Sequence, residues 1–216
     1  MATIHQVRSR TTGGSWVSLP APSGKETFPL EKAIALRRST RAFLRKPITL
    51  MQVSRLLWAA QGITDRKSGF RSVPSGGALY PLEVYAVARQ NGVEALAAGI
   101  YHYEPSRHAM KKIRDGNHMG ELQEAAFDQE SIGMSAICIV ISAIFSRSTP
   151  KYGQRGIQYV NQESGAAAEN VYLQATALGL GTVIMGAFTD SAVAKAVGLG
   201  PDEVPLCLLP IGVPHP

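Results

Sequence analysis

The chain has only two cysteines, Cys138 and Cys207, in 216 residues. Each sits inside an apolar, β-like run, so both are expected as small core residues rather than as a disulfide or redox pair. With reduced thiols the chain is expected in the cytoplasm. No apolar run reaches the 18 or so residues that a membrane span requires. The N-terminal stretch has arginines but no apolar segment behind them, so no secretory signal is expected there. The histidines at 5, 102, 108, 118 and 215 show no ligand spacing and are joined by no carboxylate cluster, so no metal is expected. Two enzyme signatures also fail. Gly179–Gly186 (GLGTVIMG) has Ile184 where a dinucleotide fingerprint needs its third glycine, and it follows a helix instead of preceding one. Ser75 lacks the glycine two positions earlier that a nucleophile elbow needs.

Hydrophobic residues make up 45% and charged residues 18%, an ordinary globular composition. The longest uninterrupted signal runs from Gly156 to Gly181, free of proline and rich in alanine. Val160, Gly165, Ala168, Val171, Tyr172, Ala175 and Leu178 recur at helical spacing, with Gln162, Glu163, Glu169 and Asn170 largely on other faces. This predicts a long, mostly buried central helix stopped by Gly179 and Gly181. Its run of small residues, Gly165–Ala168, suits close approach of another backbone.

Residues 1–26 lack periodicity and are expected as an arm, with residues 27–216 as a single domain. A short helix is expected from Pro29 to the RRSTR segment, with Leu30, Ala33, Ile34 and Leu36 as its apolar side. Thr49 and Gln52 form a capping box for a second helix closed by Gly62. The stretch Thr64–Gly77 reads as a loop. Leu82–Ala88, Gly99–Glu104, His108–Ile113, Ala136–Phe145, Thr182–Ala187 and Pro205–Val213 read as strands. Helices are expected at Met119–Phe127 and after a cap at Asp190. Long helices between non-adjacent strands, with a hairpin inserted, indicate an α+β domain.

The formal charge is +6, with Lys32, Arg37, Arg38, Arg41, Arg45 and Lys46 close together. A nucleic-acid surface needs several such patches with interleaved aromatics; one compact patch suits a phosphate ligand. Four segments could carry chemistry, each with an ordinary structural alternative. RRSTR (Arg37–Arg41) offers bidentate guanidinium forks to phosphate, or simply offsets a helix end. Pro74-Ser75-Gly76-Gly77 offers close backbone approach to a flat or anionic ligand, or is a plain turn. Met185-Gly186-Ala187 leaves a slot for a planar ring, or packs the core. Lys151-Tyr152 pairs a phenol with a cation for proton transfer, or is an exposed loop.

Their order resembles the nitroreductase superfamily of FMN-dependent oxidoreductases, and within it the SagB-type, thiazole/oxazole oxidase-like dehydrogenases. The carrying segments are RRSTR (Arg37–Arg41), LLWAAQGIT (Leu56–Thr64), PSGGALYPLEVY (Pro74–Tyr85) and GIYHYEP (Gly99–Pro105). KYGQRGIQY (Lys151–Tyr159), ENVYLQATALGLGTVIMGAF (Glu169–Phe188) and PLCLLPIG (Pro205–Gly212) continue it. The resemblance implies a nitroreductase-like fold: a mixed or antiparallel sheet and flanking helices around a long central helix, in an interlocked homodimer. It implies FMN, with Arg37, Arg38, Ser39 and Arg41 on its phosphate and ribityl chain. Pro74, Ser75, Gly76 and Gly77 would reach the flavin from the partner subunit, and Met185, Gly186 and Ala187 would lie beside its ring. Lys151 and Tyr152 would be the catalytic pair acting on a small-molecule substrate. NAD(P)H-fed nitro- or quinone reduction is the alternative activity, and non-catalytic flavin or anion binding is the alternative of another class. Ala166 stands where relatives often carry histidine, which implies a reshaped substrate side. The chain ends in VPHP, so phosphate binding is expected to depend on the arginines.

Overall fold

The computed structural model describes residues 14–22 and 28–216. In chain order, β1 (Trp16–Ser18) is followed by α1 (Leu30–Leu36), β2 (Phe43–Leu44) and α2 (Leu50–Gln61). A small hairpin, β3 (Ile63–Asp65) and β4 (Phe70–Arg71), leads through a 3-10 turn at Gly76–Ala78 to β5 (Leu82–Ala88). Then come β6 (Gly99–Glu104), β7 (Ala109–Asp115), α3 (Met119–Ala125), α4 (Glu130–Met134) and β8 (Ile137–Ala143). The chain closes with α5 (Thr149–Tyr152), α6 (Gln154–Ala177), β9 (Gly181–Thr182), α7 (Asp190–Val197) and β10 (Val204–Pro214).

The main sheet runs β1-β7-β6-β5-β8-β10-β2, with β9 also on β10, and its strand pairs are antiparallel. Among the described residues, parallel geometry appears only in isolated bridges such as Ser39 with Thr182. Because strand side chains alternate, the central strands supply two cores at once. Val84, Ala86, Ile139 and Ile141 point to one face, where α2 and α6 cover them with Leu56, Leu57, Val160 and Val171. Tyr85, Val87, Cys138 and Val140 point to the other, against Met119, Leu122, Ile132 and Val193 of α3, α4 and α7. The result is an α+β arrangement of three layers, helices on both sides of one sheet. Cys138 and Cys207 are buried and free, in separate cores. Burial pushes both thiols up, that of Cys207 to about 11.

Thr49 caps α2 as its spacing with Gln52 requires: its Oγ1 accepts from Gln52 N–H, while Gln52 Oε1 accepts from Thr49 N–H. The 24-residue α6 runs about 36 Å along the first core. It starts two positions before Gly156, and Gly179 at φ 69° ends it. Gly181 does not, because it is drawn into β9 by pairing with Gly212. Gly165 is exposed, with no atom within 4 Å of where a Cβ would stand. Glu163, expected on an outer face, is buried at 6% exposure.

Three departures come from backbone pairing, two of them with partners distant in sequence. Trp16–Ser18, within the expected arm, docks as an edge strand on Ala109–Lys111. The expected loop Thr64–Gly77 contains the β3–β4 hairpin. The strand expected over Thr182–Ala187 ends at Thr182, leaving a single bridge from Met185 to Leu208. Thr189, not Asp190, is the residue before α7, and its side chain makes no capping bond. On α1 only Ala33 is buried, while Leu30, Ile34 and Leu36 are more than half exposed.

Candidate active site

Two groups of the sequence-selected residues gather on α6. At its N-terminal half lie the Pro74–Gly77 turn and the Lys151-Tyr152 pair. Gly77 has φ 65°, and a Cβ there would lie 2.6 Å from both Lys151 Nζ and Tyr152 Oη. At this positive φ a side chain is strained, and its Cβ would crowd both groups, so glycine suits the position. Lys151 Nζ also sits 5.1 Å from the centre of the Tyr152 ring, and Tyr159 of α6 packs edge-on against that ring at 5.2 Å. Ser75 Oγ donates to Glu163 Oε1 at 3.0 Å, and Gly76 N–H donates to the same oxygen at 2.8 Å. Beside this turn is a cavity of about 220 Å³ lined by Pro74, Gly76, Tyr159, Gln162, Glu163 and Ala166. The small Ala166 side chain thus contributes to the room there.

At the C-terminal half of α6, Tyr172 ties the arginine segment to the strand end. Its Oη accepts from Ile184 N–H at 2.8 Å and lies 3.0 Å from Ser39 Oγ. The Arg37 guanidinium lies over the Tyr172 ring at 5.1 Å and 3.9 Å from Glu169, a loose pairing that leaves its donors available. Arg38 instead turns back on the end of α1, donating to the carbonyls of Ala35 and Arg37. Arg41 is exposed. Beyond Ile184, Met185 is buried and hydrogen-bonded to Leu208 through both backbone groups, while Gly186 and Ala187 are exposed. A Cβ at Gly186 would meet nothing within 4 Å. This fits a flat ring resting on the strand end, with guanidinium and hydroxyl donors nearby for an anionic tail. The chemistry of the two groups therefore suits a flavin mononucleotide.

The two groups are separated by about 13 Å along α6, from Glu163 to Tyr172. Glu163, Tyr159 and Tyr172 hold them; the sequence marks Tyr172 as a core position but sets Glu163 largely on another face. Glu163 has a legible signal in retrospect: it falls in helical register with Val160, Ala167 and Val171, the buried stripe. Among the described residues, no cluster of three His, Cys, Asp or Glu side chains could hold a metal.

A family model described as "Nitroreductase family" matches residues 34–213. The chain belongs to the nitroreductase family. As such it is an oxidoreductase. A Methanocaldococcus jannaschii protein named as a nitroreductase is 43% identical over 187 residues, covering 87% of this chain and 92% of that protein. The Escherichia coli microcin B17-processing protein McbC is 31% identical, over 72% of this chain but only 58% of McbC. Among solved structures, a Ralstonia eutropha protein described as a nitroreductase superposes with TM-score 0.82 and 28% identity, covering 97% of each chain. A chain of the E. coli microcin synthetase McbBCD complex, solved with truncated pro-MccB17, superposes with TM-score 0.74 and 26% identity over 99% of this chain and 79% of that one. A Desulfovibrio desulfuricans protein solved with FMN shares the nitroreductase fold, with TM-score 0.64 and 19% identity over 88% and 89% of the two chains.

Proposed function

We propose that this chain is an FMN-dependent oxidoreductase of the SagB type, acting on a small organic substrate at a site completed by a second copy of itself. The observation that carries this reading is the convergence of Lys151 Nζ and Tyr152 Oη on the backbone of Gly77. FMN, when bound, supplies hydride acceptance and donation at its N5 position. Arg37, Ser39 and, after reorientation, Arg38 and Arg41 would hold the phosphate and ribityl chain. Met185, Gly186 and Ala187 would carry the ring, and the Pro74–Gly77 turn would close over it from the partner subunit. Tyr152 takes the substrate proton, assisted by Lys151, whose ammonium lies beside its ring. The similarity to McbC supports the SagB-type assignment.

Two features support the second copy. The exposed Leu30, Ile34 and Leu36 on α1 and the open flank of Gly165 on α6 form surfaces that suit burial against another molecule. No described helix is long and apolar enough to cross a membrane. The two buried thiols agree with a reducing, cytoplasmic setting.

The experiment is an absorption spectrum of the purified protein, followed by turnover of a small thiazoline. Lys151→Ala and Tyr152→Phe should remain yellow and folded while losing roughly 10²-fold or more in turnover. Unchanged turnover in both removes the pair from the mechanism. The 43% identity to a protein named as a nitroreductase favours a second reading, NAD(P)H-fed reduction of a nitro compound or quinone. Rapid anaerobic bleaching by NADH or NADPH would select it.

A further inference from the structure

The turn that meets Lys151 and Tyr152 is strained. Gly77, Ala78 and Tyr80 have φ values of 65°, 55° and 47°. For residues with a Cβ this region costs about 1 kcal/mol or more, so it persists only where neighbours over-determine it. The neighbours are identifiable. Glu163 Oε1 accepts from Ser75 Oγ and from Gly76 N–H, and Ser75 Oγ accepts in turn from Tyr80 N–H at 2.9 Å. From the opposite side Arg147 donates to the Tyr80 carbonyl at 2.9 Å, and the Arg71 guanidinium lies 4.4 Å from the Tyr80 ring centre.

Of these, Glu163 enters from α6 itself. Its Oε2 is buried without a hydrogen-bond partner among the described residues. Burial pushes its carboxyl up, and the bonds from Gly76 and Ser75 and the charge of Arg71 offset only part of this. A half-satisfied buried carboxyl is costly, and an apolar residue in the same helical register would pack there at less expense. Holding the turn is what the carboxyl does that an apolar side chain cannot.

We propose that Glu163 is a positioning residue for the Lys151-Tyr152 pair: by gathering Ser75 and Gly76 on one oxygen, it fixes the Gly77 backbone against Lys151 Nζ and Tyr152 Oη. Tyr159 of helix α6 then packs on the Tyr152 ring, while Glu163 holds the turn whose Gly77 lies beside the Tyr152 hydroxyl. The consequence for catalysis rests on the reading of Lys151 and Tyr152 given above; the positioning itself does not. Glutamine at 163 keeps a carbonyl oxygen able to accept both bonds, whereas alanine keeps neither.

The test uses the full chain labelled with 3-fluorotyrosine, with the Tyr152 ¹⁹F resonance assigned by Tyr152→Phe and the Gly76 amide followed by hydrogen exchange. Glu163→Ala should shift the Tyr152 resonance and speed Gly76 exchange about tenfold or more, and Glu163→Gln should restore both. A Tyr152 resonance unmoved in folded Glu163→Ala, or moved equally in Glu163→Gln, overturns the proposal. If Glu163→Ala does not fold, Ser75→Ala removes the hydroxyl bridge alone; it should still shift the resonance, and an unshifted one is again fatal. These readouts need neither flavin nor turnover. A colourless protein, or turnover indifferent to Lys151 and Tyr152, would instead defeat the redox reading and leave the positioning standing.

Discussion

Tyr172 shows how one hydroxyl can join segments far apart in sequence. It meets Ser39 Oγ and accepts from Ile184 N–H, so the arginine segment and the strand end share one anchor. Tyr172→Phe keeps the ring in its 5%-exposed setting but leaves the Ile184 N–H without its partner. We expect a loss of about 1 kcal/mol or more in stability, because an unmade bond costs more than a made one contributes. We also expect a several-fold rise in the Kd for FMN, read by quenching of flavin fluorescence. A wild-type Kd in a folded Tyr172→Phe protein would show that the anchor does not shape the ring site.

Among the elements, β5 is tied to the turn before α5 by charge. Glu83 accepts from Arg147 Nη2 at 2.5 Å and contacts His102 Nε2 at 2.6 Å. Burial pushes the Glu83 carboxyl up, but the bonds and charges of His102 and Arg147 together outweigh it, so the net displacement is downward. For a carboxylate held below its unfolded value, the contribution to stability is complete above that value, about pH 4.3. It is lost as pH falls through the lower folded-state value. Glu83→Gln should therefore destabilise the protein at neutral pH and flatten the acid limb of a Tm-against-pH series. An unchanged slope below pH 5 would show that the Arg147 link contributes nothing there. The same link holds the segment that leads to Lys151, so acid should loosen the Lys-Tyr pair before it melts the cores.

For the molecule as a whole, a second copy of the chain would let groups spaced along α6 serve one ligand. The exposed face of α1 supplies a test of the second copy. Ile34 is 57% exposed and flanked by Leu30 and Leu36, so a charge there perturbs no core contact of the isolated chain. Ile34→Glu should shift light-scattering mass from dimer to monomer and release flavin, with secondary structure by circular dichroism unchanged. A dimeric, flavin-loaded Ile34→Glu protein would move the interface away from α1.

Local physics determined much of this protein from the sequence alone. The period of the long helix, the Thr49–Gln52 cap and the alternation or unbroken apolarity of β5, β6 and β8 depend on neighbours within a few residues. The order of the RRSTR, PSGG, KY and MGA segments, likewise read along the chain, carries the family resemblance. What depends on distant partners was decided only by the tertiary structure. Pairing with β7 made a strand of Trp16–Ser18, and pairing with β10 shortened the one expected after α6. Folding also set Glu163 under a turn nearly ninety positions away: its register speaks for burial, but a carboxylate on a helix gives no local sign of the backbone N–H it will meet. Long-range hydrogen bonds, unlike helical periods, leave no pattern along the chain.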